Sequence, residues 1–234
     1  MLTEALEFPF ESDDWLQTVL IGGVLSLLSF LIVPGILVNG YLLRMVRAGV
    51  QADETPPKFG DWVDLFIDGI LVWVVEFVYA AVPTFLLFMV VGSFAVVTNV
   101  SSSTGPEPVA ATAGAFVGGV VSVLVILALL LLLAAVYLLP AALANYARTG
   151  EFTAAFSLRT VARGAVNTDY LLAMLLVIGV SIVIGLIGSL LMVVLVGVFV
   201  LFYLQLVVYH LFGQGFARGL DLDTVPDSAA DTAA

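Results

Sequence analysis

This sequence predicts an all-α fold, a polytopic transmembrane helical bundle with about five membrane segments and two short amphipathic surface helices, and three observations lead there. Of its 234 residues, 62% are apolar and the mean hydropathy is +1.18, well beyond the usage of domains that fold in water. Four uncharged runs, 16–43, 77–106, 109–147 and 170–217, each exceed the ~20 residues that cross roughly 30 Å of hydrocarbon at about 1.5 Å per residue. The charges fall in the short stretches between these runs and at the two ends, as expected where a bilayer excludes them.

Segment 1–15 carries Glu4, Glu7, Glu11, Asp13 and Asp14 and no base. A secretory signal begins with a basic region, so the apolar run that follows is expected to stay in the mature protein. The membrane domain spans 16–218, with apolar segments at about 16–43, 69–99, 112–146, 169–187 and 190–216. The last run is too long for one crossing, and Gly185, Gly188 and Ser189 mark its expected turn. Two stretches read as cytoplasmic surface helices. In 59–68, Phe59, Trp62 and Phe66 form one stripe and Asp61, Asp64 and Asp68 another; in 151–166, Phe152, Phe156, Arg159 and Arg163 recur at spacings of three and four. The stretch Ser101-Ser102-Ser103-Thr104-Gly105-Pro106 reads as an external connection. Segment 219–234, with Asp221, Asp223, Asp227 and Asp231, reads as a disordered acidic tail.

All seven basic residues lie on one side of a five-span arrangement: Arg44, Arg47 and Lys58 in the first loop, Arg148, Arg159 and Arg163 in the third, and Arg218 at the end. The positive-inside rule makes that side cytoplasmic and the N-terminus external. A weak repeat opposes this. Asp14-Trp15-Leu16, Asp61-Trp62-Val63 and Asp169-Tyr170-Leu171 each set an acid and a ring before an apolar run, and Gly22 and Gly69 each stand seven residues after their Trp. Trp15, Trp62 and Tyr170 read most simply as independent interfacial anchors. If the copies are equivalent, the first segment is instead a shallow hairpin bent at Pro34-Gly35 and the N-terminus is cytoplasmic.

Eighteen acids against seven bases give a formal charge of −11. Such a surface lacks the basic patches that nucleic acid requires, and it suits a halophilic cell, where strong screening removes most self-repulsion. With no cysteine, disulfides, thiolate metal sites and a cysteine nucleophile are excluded. The lone His210 has no neighbour to complete a zinc site. No cofactor, metal or catalytic constellation is legible, so the chain is expected not to be an enzyme.

Four polar residues stand out inside apolar segments. Glu76, in Leu71-Val72-Trp73-Val74-Val75-Glu76-Phe77, is a functional candidate by position, or a wet interfacial group if its long helix outreaches the bilayer. Asn39 and Gln205 can hydrogen-bond between helices. His210, near the cytoplasmic end of the last segment, reads as an interfacial cation favoured by the helix dipole. The stripe Asp61, Asp64, Asp68 and the pair Arg159, Arg163 are candidates for docking the two surface helices together. Pro34, Pro83 and Pro140 interrupt apolar segments, and Gly114-x-x-x-Gly118 permits close helix approach, within the bundle or in a homo-oligomer.

Gly40-Tyr41-Leu42-Leu43-Arg44, Pro56-Pro57 with Phe59 and Asp61-Trp62, Leu65-Phe66-Ile67-Asp68-Gly69, Tyr137-Leu138-Leu139-Pro140-Ala141, Phe152 with Ala155-Phe156, and Asp169-Tyr170 together resemble an archaeal membrane-protein family of unknown function, domain of unknown function 4013. The resemblance implies a membrane protein and brings no catalytic residues. Two functions follow as expectations. One is a non-enzymatic scaffold, assembly or lipid-organising subunit of the cell membrane, with membrane lipids, a second copy or another membrane protein as partners. The other is a small transporter or channel with Glu76 in its path, which a continuous polar cavity reaching Glu76 and Asn39 favours.

Overall fold

The computed structural model describes residues 1–101 and 107–220, with side chains outside 93–117. The expected connection at 102–106 and the tail beyond Leu220 lie outside the described residues, as do the surroundings of Gly114. Among those described there are eight α-helices and no strand: α1 (Leu2–Glu7), α2 (Trp15–Leu27), α3 (Ile32–Gln51), α4 (Trp62–Ser101), α5 (Glu107–Thr149), α6 (Leu158–Ala165), α7 (Thr168–Leu191) and α8 (Gly197–Gly219). Among the described residues four stretches are long and apolar enough to cross a membrane: Trp62–Gly92, Gly118–Thr149, Thr168–Val194 and Gly197–Gly219.

The first apolar segment is where structure and sequence differ most. It is split by residues 28–31 into two helices. The break falls one turn before Pro34, because a proline ring collides with the carbonyl four residues back and offers it no donor. The conflict therefore lands on Phe30, not on Pro34-Gly35. Pro34 itself sits in the first turn of α3, where a missing N–H has no cost. At the break Ser29 bonds back to the Leu25 carbonyl at 3.0 Å. Helix α2, with 13 residues, reaches only about 20 Å and cannot cross. It folds back on α3, with Ser29 beside Gly35.

The chain forms two compact units, one comprising Met1–Val75 with the segment from Pro140 onward, the other Glu76–Leu139. In the first, α8 is the hub on which α1, α2, α3, α6 and α7 pack. Val38, Tyr41, Leu42, Met45, Leu65, Phe202, Leu206 and Phe8 form one core cluster. Ala5, Val177, Val180, Val207 and Leu211 form another. Glycines set the closest approaches on α3. A Cβ on Gly40 would meet the Leu65 carbonyl and one on Gly69 the Ile36 carbonyl; one on Gly49 would meet the His210 carbonyl and one on Gly213 the Val46 carbonyl. Gly118, in the second unit, has nothing within 4 Å.

Several local expectations are corrected. Residues 59–68 are not a separate surface helix: Phe59 belongs to the loop, where it stacks on Tyr41 at 4.0 Å, and α4 begins at Trp62. Segment 151–166 is a 3-10 turn, Phe152–Phe156, followed by α6. Phe152 and Phe156 pack edge to face there, their ring centroids 5.3 Å apart. The last hairpin turns at Met192–Val196, with Leu195 left-handed at φ 60, past Gly185, Gly188 and Ser189.

The second unit consists of the middle of α4, with Pro83 inside it, and of α5 up to Leu139. Phe77, Val82, Phe85, Phe88, Val123, Ile126 and Leu133 are exposed, which suits lipid rather than water as surroundings.

Candidate intramembrane polar site

Because α2 stops short and turns, its last turn and the first turns of α3 bring polar side chains together inside an apolar segment. Unpaired backbone at membrane depth is tolerated where it is buried in protein or lines a wet cavity. Here a cavity of about 430 Å³ lies between the α2–α3 hairpin, α4 and α8, lined by Ser26, Ser29, Gly35, Val38, Asn39, Leu42, Trp73, Gln205 and Tyr209. Asn39 and Gln205, singled out separately in the sequence, thus share one site.

Each side chain is aimed by its own helix. Asn39 donates to the Gly35 carbonyl one turn back, 2.9 Å, which fixes its carboxamide plane along α3. Gln205 and Tyr209 are four apart on α8 and therefore on one face. Ser26 and Ser29 are three apart at the end of α2. The Ser26 Oγ is buried and has no hydrogen-bond partner among the described residues. A buried hydroxyl left unpaired costs about 1–3 kcal/mol, so this atom marks the place where a water or a ligand group is wanted. The lining carries no formal charge, and Trp73 and Tyr209 provide aromatic walls. Two carboxamides and three hydroxyls, those of Ser26, Ser29 and Tyr209, supply both donors and acceptors, the chemistry that replaces the hydration of an uncharged polar solute.

The other candidates lie elsewhere. Glu76 is the first residue of the second unit, half-buried in α4, and is not among the residues lining the cavity. His210 is not an interfacial cation. It is only 2% exposed, its ring stacked on Phe8 at 4.0 Å, because α1 and the turn after it fold over the end of α8. Tyr170 is fully buried rather than an interfacial anchor, whereas Trp15 and Trp62 are exposed.

The acidic stripe and the arginine pair do not dock. Asp68 faces Arg47 at 4.0 Å. Arg44 donates instead to the Gly60 carbonyl, 3.1 Å. Asp61 and Asp64 are exposed, and Arg159 and Arg163 form no ion pair among the described residues. Lys58 pairs with Asp14 at 2.6 Å and Arg218 with Glu4 at 3.9 Å. The described residues contain no group of three or more His, Cys, Asp or Glu that could hold a metal.

Trp73, Tyr209, Ser26 and Ser29 were not singled out from the sequence. The signals were present in the four-residue spacing of Gln205 and Tyr209 and in serines one turn before a proline break, but each type is common in membrane helices. No curated protein and no solved structure matches the chain. The family model described as "Protein of unknown function (DUF4013)" matches residues 24–193, a stretch that holds the last turn of α2, α3 and Trp73 but ends before Gln205 and Tyr209. With most of its length matched, the chain belongs to the DUF4013 family of proteins of unknown function.

Proposed function

We propose that this protein is a non-enzymatic permease of the cell membrane that admits a small, uncharged, hydrogen-bonding solute to the cavity at the α2–α3 hairpin. One observation carries the reading: the polar cavity of about 430 Å³ coincides with the break in an otherwise apolar helical segment. Ligand sites commonly measure about 300–1,000 Å³, and interrupted helices accompany many transport sites. The absence of formal charge in the lining favours a neutral solute over an ion. The scaffold reading needs no such cavity, because a packing device is served best by a dry interior.

In this reading the chain crosses the membrane four times and the hairpin enters and leaves on one side. All seven bases then stay cytoplasmic, in keeping with the positive-inside rule, and the N-terminus joins them. The wetness of the cavity is the first thing to test. The protein has no cysteine, so Ser29→Cys gives a single thiol at the cavity. It should react with a small hydrophilic methanethiosulfonate reagent far faster than Phe85→Cys on the apolar second unit. Equal, slow reaction at both positions would favour the scaffold.

A further inference from the structure

Of the seven basic side chains, five have polar partners: Arg44 with the Gly60 carbonyl, Arg47 with Asp68, Lys58 with Asp14, Arg148 with the Asn145 carboxamide and Arg218 with Glu4. Arg159 and Arg163 alone have none among the described residues, in a chain whose net charge is −11. Both are exposed and lie one turn apart on α6. The opposite face of α6 is fixed: Val161, Gly164 and Ala165 are buried, the Gly164 Cα lies against the Phe216 ring, and Asn167 donates to the Gly219 carbonyl at 3.0 Å. The arginines are therefore presented by a helix clamped to the end of α8, not by a mobile loop.

Their apolar neighbours face outward with them. Val166 is 82% exposed and Leu158 64% exposed. Val166 shares the arginine face at helical spacing, and Leu158 flanks it. Val166 also stands two residues before the span that starts at Thr168, which puts this face at headgroup level. A cationic pair bordered by aliphatic side chains, just outside a span, fits a lipid phosphate above its acyl chains better than a dissolved anion.

We propose that the outward face of α6 is a binding site for the phosphate of an anionic lipid in the cytoplasmic leaflet. Arg159 and Arg163 hold the headgroup, and Leu158 and Val166 rest on the first methylenes of its chains. Arginine suits the role because its planar fork gives two donors to one phosphate. The site depends on membrane insertion alone, so it stands or falls independently of the cavity. The other candidate occupant is the acidic segment 221–234, which follows α8 directly. It carries four aspartates together with Leu222 and Val225, and its removal is therefore one arm of the test.

The test uses the full chain in bilayers of phosphatidylcholine and phosphatidylglycerol at low salt, with spin-labelled lipids reporting the fraction held at the protein surface. Each base near an anionic surface contributes roughly a fivefold preference. The wild type should prefer phosphatidylglycerol. Arg159→Gln with Arg163→Gln should lower that preference roughly tenfold or more, while Arg159→Lys with Arg163→Lys keeps most of it and Lys58→Gln leaves it intact. Removing 221–234 should change it little. An equal preference in the wild type and the double Gln variant, or one that emerges only after the tail is removed, would overturn the proposal. If the double Gln variant fails to fold, adding salt to the wild type must abolish the preference for the proposal to survive.

Discussion

Lys58 Nζ lies 2.6 Å from Asp14 Oδ2, so the residue before the first apolar segment and a residue in the loop after it meet. A segment that crossed the membrane once would hold them on opposite sides of roughly 30 Å of hydrocarbon. The pair therefore has a topological consequence: Thr3→Cys and Arg159→Cys in intact cells should both escape an impermeant thiol reagent, and Ser102→Cys should react. Labelling of Thr3→Cys from outside would restore the five-span arrangement.

The pair also has a pH signature. The Asp14 carboxylate, by hydrogen bond and charge, holds the exposed Lys58 ammonium above its ordinary range. A raised folded-state value means that the pair's contribution is complete below the usual lysine range and fades as pH rises through the raised value. Both side chains are open to solvent, so the effect is small and sensitive to salt. Lys58→Met should remove it, whereas the exchange Asp14→Lys with Lys58→Asp should restore it, as read by thermal unfolding in low-salt detergent at neutral and alkaline pH.

The helical membrane class was legible, because it depends on composition and length alone, but the turns were not: the last hairpin bends past Gly185, Gly188 and Ser189, at Met192–Val194 and the two residues after it. Asn39 and Gln205 were legible too: carboxamides stand out in apolar runs. Their meeting was not, since it depends on where the hairpin breaks, and Pro34 displaces that break to residues 28–31. His210 was misread because local spacing said nothing of Phe8, a residue some two hundred positions earlier that covers its ring. The packing glycines escaped for a related reason. Gly40 and Gly69 belong to different helices, and a pattern within one helix cannot reveal a partner on the next.

Those glycines give a stability prediction. At Gly40, Gly69, Gly49 and Gly213 an added methyl would collide with backbone of the facing helix, which cannot swing aside as a side chain can. Each single Ala substitution should cost about 1–3 kcal/mol or prevent folding, judged by unfolding in detergent. Gly118→Ala, where nothing lies within 4 Å, should be neutral. The reverse order would mean that α3 does not approach α4 and α8 as described.

Tyr41 ties the hairpin to the first loop, donating to the Pro57 carbonyl at 2.7 Å while its ring stacks on Phe59. Tyr41→Phe keeps the stacking and leaves the Pro57 carbonyl without that donor. The expected loss is about 1–2 kcal/mol, and Tyr41→Leu, which also removes the ring contact, should lose more. A Tyr41→Phe variant as stable as wild type would place the loop elsewhere.

Solute flux through purified protein tests the proposed function most directly. Proteoliposomes placed in a hyperosmotic gradient of glycerol or urea shrink, then swell again as the solute enters, and light scattering follows the recovery. The wild type should speed recovery over protein-free vesicles. Asn39→Leu with Gln205→Leu, which removes both carboxamides from the cavity, should return it to the protein-free rate, and Glu76→Gln should leave the acceleration in place. Recovery no faster than in empty vesicles for every small neutral solute, or acceleration that survives the double Leu variant, would contradict a permease built on this cavity.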